Sequence, residues 1–454
     1  MNRYFIRAIF LVAVAAAIGI TSAYWQHRPD VWSAETQVTN DPADSRLVDL
    51  FADPSGHAVY LVWENNRGMQ EVYFQRSLDD GISWDPELRL SNLTSVTPEP
   101  EPRLATNGGQ VLVFFANRTG TGEHLYYAVS DDWGSDFSGP LQLTHDSGDQ
   151  SNVAAAIVAS TVHVVWQENF DGELRIFYAK SVDSGQTWQP EVALTNVTVS
   201  QDQFPAISAV GDKVFVTWSR MYEDTEAIYA KASLDSGNTW QPEVQVSNFS
   251  EESYPDFPAI ASNGTYAHLI WGSSTGIQYS RSSNLGETWS SPIPLTNASR
   301  QYVAPRIAVS DSEIQVVTAG LSLGTQGTSD VFYLDSSDGG ETWNAPLLLT
   351  AHEPAVLSLA PVVSSNGDGT FVAWEDNRNG HFTIFLRTRP DFVLLRNFEW
   401  QLFTPLLIIL AAAASFYLGF ELRERKPGLH RRRREKRPHR RTRRRRRTRG
   451  RKSR

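Results

Sequence analysis

Ser181-Val-Asp183-Ser-Gly185-Gln-Thr187-Trp188 is the octet from which the architecture of this chain is read, because its spacing of Ser, Asp, Gly, Thr and Trp keeps returning along the sequence. The other copies are Ser77, Asp79, Gly81, Ser83 and Trp84; Ser130, Asp132, Gly134 and Phe137, with Asp136 in the Thr position; Ser233, Asp235, Gly237, Thr239 and Trp240; Ser282, Asn284, Gly286, Thr288 and Trp289; and Ser336, Asp338, Gly340, Thr342 and Trp343. The period is roughly fifty residues, the mark of stacked copies of one supersecondary unit that cannot bury its apolar face alone.

Each octet lies between two strand-like runs, as between Arg175-Ile-Phe-Tyr-Ala-Lys180 and Glu191-Val-Ala-Leu-Thr195, so it occupies a hairpin turn. Its Asp is expected to accept hydrogen bonds from turn amides, its Gly to take positive φ, and its Ser and Thr hydroxyls to complete the network. The Trp brings a large apolar body to bury against the neighbouring unit and an indole N–H to satisfy. Each octet offers too few oxygen ligands for a closed calcium site, so no metal is expected.

These octets resemble the Asp boxes, or BNR repeats, of sialidases and their relatives, and the resemblance runs from Trp32 to about Phe392. It implies a β-propeller. In that family the boxes lie on the rim away from the catalytic centre and also occur in proteins that hydrolyse nothing, so the repeats imply a fold rather than an activity.

Four strand candidates per repeat fit a propeller blade. In the fourth copy these are about Ala206–Ala209, Lys213–Trp218, Ala227–Lys231 and Glu243–Val246. The second strand usually ends in an aromatic residue, namely Trp63, Phe115, Trp166, Trp218, Trp271 and Trp374, whereas Gln315-Val-Val-Thr318 in the sixth repeat lacks one. Second strands therefore count seven units and boxes six. The seventh unit stops after Phe382-Thr-Ile-Phe-Leu-Arg387 without a fourth strand, and Trp32-Ser-Ala-Glu-Thr-Gln-Val-Thr-Asn40 matches Trp240-Gln-Pro-Glu-Val-Gln-Val-Ser-Asn248. The expected fold is an all-β, seven-bladed propeller whose last blade is closed by the amino-terminal strand.

The flanks carry different signals. Residues 1–23 have a basic start, an apolar run from Ala8 to Ile20 and small residues at Thr21-Ser-Ala23, which reads as an export signal or an amino-terminal anchor. A linker at 24–31 precedes the propeller at 32–392, expected to be extracellular. After a juxtamembrane stretch at 393–401, residues 402–420 carry no charge and are long enough to cross a bilayer as one helix. The tail at 421–454 holds 20 Lys or Arg against three Glu, which leaves the preceding chain at −27. By the positive-inside rule the tail is cytoplasmic and the propeller outside, in a single-pass protein, or two-pass if the amino-terminal segment is uncleaved. The tail reads as a disordered anchor touching anionic lipid. No aromatic residues interleave with its arginines, which argues against nucleic acid as a partner.

The absence of cysteine excludes disulfides, thiolate metal sites and cysteine nucleophiles. Six Asn-x-Ser/Thr triplets, at Asn92, Asn117, Asn196, Asn248, Asn263 and Asn297, suit an exported face. The blade-to-blade connections and the loops between second and third strands share one rim, are longer and more varied than the box turns, and mark the expected functional side.

Sialidase chemistry, as the resemblance implies it, needs an arginine cluster to grip a substrate carboxylate, a Tyr nucleophile assisted by Glu, and an Asp acid/base. Arg46, Arg103 and Arg306 stand at the entrances of innermost strands, and Tyr254 with Glu251 or Glu252, together with Tyr302, lie on loops of the same rim. The chain departs from the family in three respects. Its first-blade stretch is Ser45-Arg46-Leu-Val-Asp49 instead of Arg-Ile-Pro, it counts seven blades where catalytic sialidase domains have six, and Trp374-Glu-Asp-Asn-Arg378 repeats where a catalytic site should be unique. The favoured reading is a recognition propeller for a glycan or an exported protein, without catalysis and without a cofactor. An exo-α-sialidase or related glycoside hydrolase, and a structural cell-envelope protein, are the alternatives.

Overall fold

The computed structural model describes residues 32–390 apart from 55, 93–99, 121, 146–147, 171, 197–199, 224, 249–255, 323–326, 351–354 and 367–368. The expected leader, linker, juxtamembrane stretch, membrane span and Arg-rich tail lie outside the described residues. Among the described residues no helix is long and apolar enough to cross a membrane.

Seven four-stranded antiparallel sheets form the blades of a propeller. The first strands are Ser45–Ala52, Arg103–Thr106, Asp149–Val158, Gln201–Val210, Asp256–Ser262, Arg300–Ser310 and Ser358–Ser365, and they lie side by side around the centre, with that of blade seven meeting that of blade one. Blade seven is completed across the chain ends, as expected: Thr36–Gln37 pairs with Thr383–Pro390 through Thr36 opposite Leu386 and Gln37 opposite Phe385. Trp32 extends this latch by packing edge-on against Tyr333 of blade six, ring centroids 4.9 Å apart.

The boxes form the network that their residue types require. In Ser181–Trp188, Ser181 Oγ donates to Asp183 Oδ1 at 2.7 Å, the Gly185 N–H donates to Ser181 Oγ at 2.8 Å, and the Thr187 N–H and hydroxyl donate to the two oxygens of Asp183 at 2.8 and 2.6 Å. The Thr hydroxyl is the foremost reason that Asp183, Asp235 and Asp338 are held down to about 2, since hydrogen bonds to the charged form favour it. At Asp132 the Thr is replaced by Asp136, and the carboxylate accepts from Ser130 Oγ at 2.7 Å and from the amides of Ser135 and Asp136 at 2.9 and 3.0 Å, without the Thr hydroxyl bond.

The aromatic residue that ends each box seals its blade against the preceding one. Phe137 meets Phe74 at 4.8 Å, Trp188 meets Tyr127 at 5.5 Å, Trp240 meets Tyr178 at 5.0 Å and Trp343 meets Tyr279 at 4.9 Å, all edge-on. Trp84 joins the core between blades one and seven, so the same seal crosses the chain ends. One expectation needs correction. The indole N–H groups of Trp84, Trp188, Trp289 and Trp343 have no hydrogen-bond partner among the described residues. Burying some 200 Å² of indole yields about 5 kcal/mol, which outweighs the roughly 1–3 kcal/mol cost of an unmade hydrogen bond.

Two further periodic devices hold each blade. A Ser or Thr at the end of every fourth strand accepts a hydrogen bond from a third-strand amide: Ser91 from Val72, Thr144 from Leu125, Thr195 from Ile176, Ser247 from Ile228, Thr296 from Ile277, Thr350 from Val331, and Thr39 from Ile384, all at 2.8–3.0 Å. Thr39 supplies this bond from the amino-terminal strand, so the latch reproduces the interior blades residue for residue. The second device is a left-handed residue at the entrance of every first strand, set in a bulge in every blade but the second. Leu47, Glu101, Asn152, Phe204, Phe257, Ala304 and Ala360 take φ values from +44° to +54°, one per blade. In five blades the next residue is proline, which cannot donate to a ladder and suits a bulge.

Candidate functional site

The rim opposite the boxes carries most of the polar side chains singled out above, and much of it is structural clamp. In blades seven and three the side chain one residue past the second-strand Trp reaches the next blade and caps its bulged amide: the Leu47 N–H donates to Glu375 Oε2 at 2.9 Å, and the Phe204 N–H donates to Gln167 Oε1 at 3.2 Å. The arginines of the neighbouring hairpins stack on third-strand rings and pair with acids. Arg67 lies 4.3 Å over Tyr73 and bonds Glu87, Arg220 lies 4.2 Å over Tyr229 and grips Asp202 and Glu243, and Arg378 lies 4.0 Å over Phe385 and grips Asp376 and Glu35. The side chains after the second-strand Trp therefore join neighbouring blades, and the arginines brace the strands within one blade.

The three arginines proposed to grip a carboxylate do not share one place. Arg103 and Arg306 sit two residues past the left-handed Glu101 and Ala304 at equivalent positions of blades two and six, each donating to the carbonyl of its preceding proline, at 2.9 and 3.2 Å. They are close enough to affect one another. Burial first, and the charge of Arg103 second, push Arg306 down to about 10, against the opposing pull of Asp49 and Glu101. Asp49 takes the corresponding position in blade one, where its carboxylate accepts the Leu104 N–H at 2.8 Å. Arg46 lies before its bulge instead, 3.4 Å from Glu375 and 4.8 Å over the ring of Phe382. Tyr254, Glu251 and Glu252 lie outside the described residues.

Tyr302 is placed by a defect in the repeat. Thr318 stands where the other second strands carry Trp or Phe, and Tyr302 packs edge-on against Phe332 at 5.5 Å. Gly320 makes room for this pair, since a Cβ there would lie 2.7 Å from the Phe332 ring and 3.1 Å from that of Tyr302.

Beside Tyr302 a cavity of about 390 Å³ opens between blades four, five and six. Its position has a cause in the sequence. Blade five carries Gly272 one residue past Trp271, where Glu375 and Gln167 reach across in other blades, and among the described residues no side chain caps the Ala304 amide. The clamp is withdrawn there and space remains. Gly272, Ala304, Tyr302, Phe257, Arg300 and Glu226 contribute to its walls. Glu226 is buried and raised from its ordinary value by that burial, while Ser219 Oγ and Gln203 Nε2 donate hydrogen bonds to it. Arg300 spans Asp330 at 3.2 Å and the Phe332 ring at 5.1 Å. A buried carboxyl with a raised pKa, an aromatic and an arginine around one cavity form an arrangement suited to binding a polar ligand.

Glu226, Arg300 and Gly272 were not singled out from sequence. One usable signal was present: Thr318 in blade six breaks the otherwise regular aromatic position of the second strands.

No protein-family model and no curated protein sequence matches this chain. Among solved structures, a PL25 ulvan lyase of the polysaccharide lyases, bound to -[GlcA(1-4)Rha3S]-, is similar over 77% of this chain and 95% of its own, at 13% identity with a TM-score of 0.55. The Trypanosoma rangeli sialidase in complex with 2,3-difluorosialic acid is similar over 78% of this chain and 58% of its own, at 11% identity and a TM-score of 0.46. The α-L-arabinofuranosidase Arb93A of Fusarium graminearum is similar over 67% and 97%, at 12% identity and a TM-score of 0.47. At these identities the likeness is one of fold.

Proposed function

We propose that this chain is a recognition propeller that binds a glycan at the cavity between blades four, five and six, held at the cell surface by residues 402–420. The observation that carries this reading is the cavity itself, walled by buried Glu226, by Arg300 and by the unrepeated Tyr302, and left open by the absence of a side chain at Gly272. The Tyr302 that lines it has no counterpart in the other blades, and a feature that breaks the repeat is a better candidate for function than one that shares it. The fold shared with a lyase bound to a uronic-acid polysaccharide supports a sugar as the ligand class. Arg46 lies before its bulge at Glu375 and Phe382, apart from the Arg103 and Arg306 pair, so the three arginines do not form one carboxylate grip, which supports recognition over sialidase catalysis.

The test uses the full-length chain in detergent against immobilised hexasaccharides of cellulose, chitin, hyaluronan and ulvan. Wild type is expected to bind at least one of them. Gly272→Glu, which restores the side chain used by blade seven and fills the cavity, should weaken that binding about tenfold or more, about 1.4 kcal/mol, with thermal unfolding unchanged. Undiminished binding by Gly272→Glu would remove the cavity from the proposal. Turnover of a fluorogenic sialoside that Arg306→Ala abolishes would replace it with the enzyme reading. For the anchor, protease added to intact cells should release the propeller and spare an epitope on the Arg-rich tail. Loss of that epitope without permeabilisation would refute the topology.

A further inference from the structure

Phe204 and Phe257 occupy the bulge positions of blades four and five, with φ of +54° and +49°. Bulky side chains are poorly suited to this region, and the equivalent positions elsewhere hold Leu47, Glu101, Asn152, Ala304 and Ala360. Neither phenyl ring belongs to the apolar clusters that fill the blade interfaces. Both are half-buried, and their ring centroids lie 4.5 Å apart at 43°. Aromatic residues kept in a strained conformation outside the core, in adjacent blades, point to use of their exposed faces. Phe257 also lines the cavity, so the pair leads from it toward blade four.

We propose that the cavity continues over the rings of Phe257 and Phe204, and that the ligand is a glycan chain of several sugars rather than a single terminal residue. The inference rests on the glycan reading above. The apolar C–H face of a pyranose lies flat on an aromatic ring, and two rings in sequence provide two such contacts. The cavity volume of about 390 Å³ is near the lower end of ligand pockets, so affinity for a chain must come from contacts beyond it.

Di- and hexasaccharide pairs from cellulose, chitin, hyaluronan and ulvan test this by calorimetry on the full-length chain. At least one hexasaccharide should bind wild type tenfold or more tightly than its disaccharide. Phe204→Ala should erase most of that gain while leaving disaccharide affinity unchanged, whereas Gly272→Glu should weaken both. If Phe204→Ala fails to fold, Phe204→Leu keeps the apolar volume, removes the flat face and should erase the same gain. Equal affinity within every pair, or an equal loss for both lengths in the Phe variants, would overturn the extended track and leave the cavity reading intact. Absence of binding to every sugar would overturn both.

Discussion

Gly237→Ala and Gly340→Ala should each destabilise the propeller by about 3–5 kcal/mol, lowering Tm by roughly 5 °C in a domain of this size. Gly237 takes φ of +75° and Gly340 of +83°, and a Cβ at either would lie 1.9 Å from a tyrosine hydroxyl of the preceding blade, that of Tyr178 or Tyr279. Those tyrosines cannot give way easily. Tyr178 Oη lies 2.7 Å from His163 Nδ1 and Tyr279 Oη lies 2.8 Å from His268 Nδ1, both pairs buried. Gly211→Ala separates the two causes, because its φ of +61° is equally left-handed while nothing lies within 4 Å of its Cβ position. It should cost only about 1 kcal/mol. Equal Tm shifts for all three variants would show that backbone conformation alone matters and that the inter-blade approach does not.

Acid should weaken the fold between pH 6.5 and 4, and His163 and His268 should account for most of the loss. Burial first, then the nearby Lys180 or Arg281, lowers each imidazole to about 4. As pH falls below 6.5 the unfolded chain takes up protons that the folded chain refuses, so stability present above that pH is lost until the folded value is reached. A shift of this size corresponds to about 3 kcal/mol per histidine. The box carboxylates titrate later. Asp183, Asp235 and Asp338 are held down to about 2, so their contribution persists until pH drops below the ordinary carboxylate value. Buried Glu123 and Glu226 are raised and act in the opposite sense. Urea unfolding at pH 7, 5.5 and 4 should show a steep fall for wild type. The fall should be about half as steep after His163→Phe, the residue type that Phe215 and Phe371 supply at the same place in other blades. An unchanged slope in His163→Phe would assign the acid sensitivity elsewhere.

The resemblance of the octets to Asp boxes implied the propeller, and their period, with the match between Trp32–Asn40 and Trp240–Asn248, was enough to read seven blades and the latch, because these features are local. A box is satisfied almost entirely within eight residues, as the bonds of Ser181, Asp183, Gly185 and Thr187 show. Strand pairing within a blade also joins near neighbours in sequence. The Ser and Thr caps and the bulges are equally periodic, and the recurring proline after Glu101, Phe204, Phe257, Ala304 and Ala360 was their visible trace.

The site depends on contacts between blades, and there the linear pattern gave no register. Arg46 and Arg103 look alike in sequence, yet one lies before the left-handed residue of its blade and the other beyond it, so one pairs with Glu375 while the other stands near Arg306 and Asp49. Glu226, Gly272, Arg300 and Tyr302 come from three blades and about eighty residues of chain, and their meeting at one cavity follows from ring curvature. Local hydrogen-bond chemistry repeats along the chain and can be read there. The closing of the ring determines which breaks in that repetition face one another, and so where a ligand can bind.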